Sequence, residues 1–371
     1  MKVFQFVKQV IPNTQQFEEK YKDILDGLSY NEMRELYLKD RFYSTHILKP
    51  ILDFDWENVN YTVWDYERLQ KKWAGEQGFK YENLKEILWA QIEAFKPDVI
   101  YNLQPIHFST EEINNISNSP KKICWFAAPT NDQIDFSAYD IRLTNFKLDL
   151  KGEPMDQFRN VYFFPAIDDY IERISSNENR PIDLLFYGQY VKAHFLNRNV
   201  LMNELMDFKL KSDYNVKMHL LCQVIEEPIL NIPYIRRRFK KVVFPPANIW
   251  KHKNEALFGA GLYETISRSK IVINAGVDFS GKYKVNMRNF EATGCGAMLL
   301  SDRGVYPDGF VEGENYVAYD NFEDLITKAT YYLEHEDERV AIAKKGNEMV
   351  RKLYSKENQW KEFVKICESI S

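Results

Sequence analysis

Ile271–Asp302, IVINAGVDFSGKYKVNMRNFEATGCGAMLLSD, decides the fold class of this chain. Ile271-Val272-Ile273 and Met298-Leu299-Leu300 are apolar at successive positions rather than alternate ones, the pattern of strands covered on both faces. Between them lie a polar loop, Gly276–Lys284, and a helical pattern expected to start near Val285 or Asn286. Strand, loop, helix and strand in that order make a parallel pair joined by a right-handed crossover. The loop leaves the carboxyl end of a buried parallel strand, where open α/β sheets bind ligands. The helix start offers unpaired N–H groups and the positive end of a dipole to an anion. Lys282, Lys284 and Arg288 add positive charge there, and Asn286, Asn289 and Glu291 add hydrogen-bonding groups. Arginine suits a phosphate, and a carboxylate one turn beyond it suits a ribose diol; a plain i,i+3 ion pair between Arg288 and Glu291 is the simpler use of the same two residues.

Working outward, short apolar runs alternate with longer amphipathic stretches. One set is Val3–Val7, Tyr61–Val63, Asp98–Asn102, Ile123–Ala128, Ile141–Thr144 and Val161–Pro165. The other is Ile182–Tyr187, Lys217–Cys222, Lys241–Phe244, Ile271–Asn274 and Ala297–Ser301. Helices are predicted over Glu86–Phe95, Asn321–Leu333, Ala341–Leu353 and Gln359–Ile366. The polar, Pro-terminated stretch Asp168–Pro181 divides the two sets and reads as an interdomain linker. The expected architecture is therefore α/β, with two doubly wound Rossmann-type domains facing a central cleft. The first spans 1–167 and the second 182–350, and a C-terminal helix in 351–371 is expected to pack back on the first.

Composition narrows the chemistry. The chain has 371 residues, 45% of them apolar and 28% charged, enough for two cores with a solvated surface. A net charge of −5 argues against a protein that coats nucleic acid. Glycine is scarce, at 15 residues, and neither Gly259–Glu264 nor Gly294–Leu299 completes GxGxxG. Gly281-Lys282 is followed by Tyr283, so no P-loop is present. The six histidines show no metal-ligand spacing, and Asp53-Phe54-Asp55 is a weak DxD that stands before a strand instead of after one; no metal cofactor is expected. Four widely spaced cysteines read as reduced thiols, and neither a signal peptide nor a membrane-spanning run is evident. The expected location is the cytoplasm; the basic run Arg236–Lys241 reads as a solvated face before a strand or, alternatively, as peripheral contact at the inner membrane face.

Arg288-Asn289-Phe290-Glu291-Ala292-Thr293-Gly294-Cys295-Gly296-Ala297 followed by Leu299-Leu300-Ser301-Asp302 resembles the C-terminal signature of CgeB-like glycosyltransferases, within the wider group 1 enzymes of GT-B architecture. The resemblance runs on through Phe310–Tyr319, Asn321–Leu325 and Tyr331–Leu333 to about Gly346, and Ile182–Gly188 resembles the first strand and glycine turn of the same domain. The first domain matches more loosely, at Lys96–Val99, Trp125–Asp132 and Phe164–Ala166. In such enzymes the glutamate at 291 holds the donor ribose and the preceding loop contacts the diphosphate and sugar. Tyr283 stands where related enzymes carry a second glutamate, and their common terminal arginine has no counterpart near Asn358–Trp360.

The resemblance implies a metal-independent, retaining transfer of a sugar from a nucleotide-sugar to a glycan, lipid-linked or protein acceptor. The donor set expected on the second domain is Gly188, Asn274, Gly281, Lys282, Tyr283, Arg288, Asn289 and Glu291, with Arg288 and Lys284 as the clamp on the departing diphosphate. Retention needs no protein base; an inverting reaction needs one from the first domain, with Asp132 the first choice and His107 the second. Asn131 and His107 are the acceptor-side candidates. Phe42–His46 and Tyr61–Trp73 offer an aromatic platform or core packing, and Phe244–Asn248 a frame for the base or a rigid turn. The rival readings are a nucleotide-sugar epimerase or phosphorylase on the same scaffold and a binding or assembly protein without turnover.

Overall fold

The computed structural model describes residues 1–128, 134–145, 159–191, 195–222, 245–276 and 280–370. The chain divides into two compact units, Met1–Asp168 with Tyr354–Ser371, and Asp169–Leu353.

In the first unit the described strands are β1 (Val3–Val7), β2 (Val59–Val63), β3 (Val99–Asn102), β4 (Lys121–Trp125), β5 (Ile141–Thr144) and β6 (Arg159–Tyr162). They form one sheet in the order β2-β1-β3-β4-β5-β6, and every pair in it is parallel. Alternation sends Val3, Val7, Tyr61 and Tyr101 to one core and Phe4, Phe6, Ile100 and Cys124 to another, so both faces are covered. The aromatic candidates Tyr61 and His46 lie within this packing, at 1% and 3% exposure. Burial holds the His46 imidazole well down, at about 3, so it is neutral.

The C-terminal helix Lys356–Glu368 belongs to this unit and places Phe363, Ile366 and Cys367 in its core. Lys356 is itself buried, its ammonium donating to the Ile47 carbonyl at 2.7 Å and to Gln359 Oε1 at 2.9 Å. Burial lowers its pKa to about 7, against the opposing pull of Asp168.

The second unit carries β7 (Ile182–Tyr190), β8 (Val216–Cys222), β9 (Ser269–Asn274), β10 (Met298–Asp302) and β11 (Val317–Tyr319). Their order is β11-β10-β9-β7-β8, again all parallel. Phe186, Ile271, Ile273, Met298 and Leu300 enter one core, while Leu185, Val272 and Leu299, alternate to them, are buried on the opposite face. The Asp168–Pro181 stretch is not an extended linker: Asp169–Ser175 is a helix of the second unit with Ile171 buried. Its polar residues form the outer side of that helix, where Glu172 pairs with Arg351 at 3.5 Å and the Tyr170 hydroxyl donates to Glu264 at 2.7 Å. The sequence-predicted strand Lys241–Phe244 and the basic run Arg236–Lys241 lie outside the described residues.

The helix Met287–Gly294 packs on β9, β10 and the long helix Glu336–Leu353. Its last carbonyls are satisfied from outside: Asn347 Nδ2 donates to the Thr293 and Gly294 oxygens at 3.1 and 2.7 Å, and Arg180 donates to the Cys295 oxygen at 3.1 Å. Gly346, in the long helix, is what permits this close approach. A Cβ there would stand 2.7 Å from the backbone oxygen of Asn315 and 3.2 Å from Thr293 Cγ2. Helix propensity favours Gly346→Ala by about 1 kcal/mol, but overpacking against backbone costs about 1–3 kcal/mol. We expect overpacking to win, with the urea midpoint of the second unit lowered; an unchanged or raised midpoint would show that the Asn315 loop yields.

Candidate active site

In the second unit the chain runs outward from β7 to β8 and then returns to the other side of β7 as β9, so β7 and β9 flank a topological switch point. Their pairing covers Ile182↔Ser269, Leu184↔Ile271 and Leu185↔Val272 and goes no further. Beyond it β7 continues beside β8 alone, through Tyr187↔His219 and Gly188↔Leu220. The carboxyl ends of the two central strands part, and Arg288, from the first turn of the Met287–Gly294 helix, fills the opening.

Its guanidinium is fixed from several sides. Nη1 donates to Asn274 Oδ1 at 2.6 Å and to the Ala275 carbonyl at 3.3 Å. The charge lies 5.7 Å from the Phe186 ring centroid and 5.6 Å from that of Tyr187. Gly188, at φ 154°, leaves the room: a Cβ there would stand 2.9 Å from Arg288 Nη2. Burial lowers the guanidinium pKa from its ordinary value, opposed by the nearby Glu291 and Asp302 charges. Among the described residues no carboxylate lies within ion-pair distance of Arg288, so the i,i+3 pair with Glu291 does not form.

Asn274, the last residue of β9, is the hub. It is fully buried and accepts at Oδ1 from Asn286 Nδ2 at 3.0 Å as well as from Arg288. Its Nδ2 donates to Asn289 Oδ1 at 2.8 Å and to Ser301 Oγ at 3.0 Å. Its backbone carbonyl accepts from the Tyr319 hydroxyl at 2.7 Å. Asn289 is likewise fully buried and donates to the Lys284 carbonyl at 2.7 Å, so it joins helix to loop. Asn286 occupies the N-cap position with extended backbone, but its side chain does not cap the helix. Glu291 is 4% exposed and accepts from the Tyr187 hydroxyl at 2.8 Å. Burial raises its pKa, against the lowering effects of Tyr187, Arg288 and Tyr263.

The loop side differs from expectation in one respect. Lys284, expected to help clamp a diphosphate, is ion-paired with Asp302 at 2.6 Å. The other oxygen of Asp302 accepts from the Gly276 N–H at 2.8 Å, so this carboxylate ties together both ends of the loop. The loop is also pinned by Val305, which donates to the Lys282 carbonyl at 2.7 Å and accepts from the Lys284 N–H at 2.9 Å. Lys282 is exposed, with its ammonium 5.2 Å from the Tyr283 ring centroid. Gly281 takes φ 56°, which a glycine adopts without strain.

The structure thus gathers Gly188, Asn274, Arg288, Asn289 and Glu291 at one switch point, with Gly281, Lys282, Tyr283 and Lys284 on the adjoining loop. Asn131 and Asp132 lie outside the described residues. His107 belongs to the first unit, in the short turn Pro105–His107 after β3. Its pKa is lowered by burial first, then by Lys8 and Lys85, so the imidazole is neutral near pH 7. Asp53 pairs with Lys49 at 2.7 Å, and Asp55 accepts from Asn58. Pro246 caps the helix Ala247–His252, so the described part of the Phe244–Asn248 stretch is a helix start. Sequence reasoning missed Tyr187 and the partner role of Asp302. The available signal for Tyr187 was strand alternation, which puts Leu185 and Tyr187 on the same side of β7.

Residues 221–365 match a family model described as glycosyl transferase-like. No curated protein matches the chain by sequence. Among solved structures, an α-glucosyltransferase in complex with UDP-glucose and DNA containing an abasic site is similar over 100% of both chains, with a TM-score of 0.58 at 11% identity. HepE from Anabaena, in complex with UDP-glucose, is similar over 100% of both chains, with a TM-score of 0.56 at 11% identity. A glycosyltransferase from Rickettsia africae is similar over 100% of this chain and 98% of its own, with a TM-score of 0.52 at 12% identity. These likenesses establish a GT-B type of fold, with two parallel sheets.

Proposed function

We propose that this chain is a glycosyltransferase whose second unit binds a nucleotide-sugar, with UDP as the carrier, and that it transfers the sugar with retention and without a metal. The single observation that carries the reading is Arg288, held by Asn274 in the opening between β7 and β9 at the start of a helix. A guanidinium and a helix N-terminus at a strand-end switch point make an anion site. Two of the structural neighbours were solved with UDP-glucose.

In the reaction the bond from the anomeric carbon to the diphosphate oxygen breaks, and a bond from the acceptor oxygen to the same carbon forms. The acceptor proton passes to the departing diphosphate, so no protein base takes part. Arg288 and the helix N–H groups stabilise the charge that collects on the leaving group, with exposed Lys282 contributing. Glu291 accepts the ribose hydroxyls. Acceptor binding is assigned to the first unit, with His107 a contact, and the acceptor class is a glycan, lipid-linked or protein hydroxyl.

Thermal melting with UDP, GDP and TDP, each with and without EDTA, tests the donor assignment. A ligand at about 100 times its Kd adds about 2.7 kcal/mol, a rise in Tm of roughly 5–10 °C for a unit of this size. UDP is expected to give that rise, undiminished by EDTA. No rise with any nucleotide overturns the donor site, and a rise that EDTA removes overturns metal independence. The anomeric configuration of the product, read by NMR coupling, decides retention.

A further inference from the structure

Tyr187 stands between the two charged groups of the site. It precedes Gly188 on β7, is 7% exposed, and reaches Glu291 with its hydroxyl while its ring lies 5.6 Å from the Arg288 charge. Arg288 and Glu291 are three apart on one short helix and face the same tyrosine, which hydrogen-bonds Glu291 and flanks Arg288. Building on the donor-site reading, we propose that Tyr187 is a positioning residue that holds the Glu291 carboxylate in place to receive the two hydroxyls of a donor ribose. It acts through Glu291 and touches no reacting atom.

The chemistry behind this is a matter of proton count. An ionised carboxylate only accepts, and so it serves a vicinal diol that donates twice; a protonated carboxyl keeps a proton of its own and serves it poorly. Burial presses Glu291 toward the protonated form. The phenol donates to one carboxylate oxygen at 2.8 Å and so favours the ionised form. The other groups facing Glu291 are Arg288 on its own helix and Tyr263 on the helix Gly259–Ser267, and both act in the same direction. Tyr187 itself faces Arg288 and the Cys295 thiol besides Glu291.

Removing the hydroxyl therefore raises the Glu291 pKa further and moves the acid limb of ribose-dependent binding to higher pH. The full chain carrying Tyr187→Phe is titrated with UDP and with 2′,3′-dideoxy-UDP across the acid-to-neutral range. UDP binding at neutral pH is expected to weaken about tenfold, the worth of one hydrogen bond to a charged group. The dideoxy nucleotide is expected to bind both proteins alike, and the loss in turnover should appear in KM with kcat nearly unchanged. Glu291→Gln and the double variant complete a cycle: if Tyr187 works through Glu291, the double variant binds UDP no worse than Glu291→Gln alone. The double variant removes the buried carboxylate together with the hydroxyl that pairs with it, so it reports even where Tyr187→Phe is poorly folded. Unchanged UDP affinity and pH profile, equal losses for the two nucleotides, or additive losses in the cycle would each overturn this role. If the unaltered chain binds no nucleotide at all, the donor site itself is wrong and this role goes with it.

Discussion

Arg288→Ala is expected to lower the rate of sugar transfer at saturating donor by about a hundredfold or more, the effect of removing one preorganised donor aimed at developing negative charge. The reason lies in how firmly the group is held. Two hydrogen bonds from Nη1, two flanking aromatic rings and the bare backbone of Gly188 fix the guanidinium before any ligand arrives. Little reorganisation remains to be done when the diphosphate departs. Stability is expected to change much less than turnover, because burial already disfavours the charged guanidinium. Gly188→Ala approaches the same group from the other side: a Cβ 2.9 Å from Nη2, on backbone at φ 154°, displaces the arginine and leaves its charge intact. Steady-state kinetics and melting curves on both variants check this. An Arg288→Ala protein that turns over within a few-fold of the unaltered chain would remove the guanidinium from the reaction.

Asn274→Ala is expected to have the largest effect on stability. Four side-chain hydrogen bonds meet at this fully buried amide. Alanine leaves Asn286, Asn289, Ser301 and Arg288 each short of a partner. An unsatisfied buried group costs about 1–3 kcal/mol, and partial relaxation leaves a total of roughly 3–5 kcal/mol. At about 2–4 °C per kcal/mol, the melting temperature of the second unit falls by roughly 6–20 °C. Nucleotide-induced stabilisation is expected to be lost as well, since Arg288 no longer has its anchor. A variant that melts within 2 °C or so of the parent would mean that the neighbours re-pair among themselves.

Much of this was legible in the residues. Ile271-Val272-Ile273 and Met298-Leu299-Leu300 are apolar on both faces, and they are the core of β9 and β10. The helix start expected near Val285 or Asn286 has its cap at Asn286. The strand Val317–Tyr319 is only three residues long, too short to show a period. Asp169–Ser175 passed for a linker because seven residues make barely two turns and only Ile171 is buried. The site divided along a physical line. Types and spacing announced Arg288 and Glu291, whose charge is itself the signal. The partners were hidden: Tyr187 lies 104 residues before Glu291 and meets it only through strand register, and Asp302, at the end of the strand after the helix, turns back to the loop. Lys284 illustrates the cost: its charge pointed to a phosphate, but Asp302 is 18 residues further on and claims it.

The first unit closes on itself around the point where the chain leaves and re-enters it. The Ile167 N–H donates to the Tyr354 carbonyl at 2.9 Å, and Ile167 bridges in parallel to Ser355. The two breaks in the first unit, after Asp168 and before Tyr354, are therefore neighbours in space though far apart in sequence. In gene terms the second unit is an uninterrupted insert, and the first is a host whose cut ends remain joined by main-chain hydrogen bonding. Such an insert can be exchanged between hosts as one cassette, without rethreading any strand of the recipient sheet.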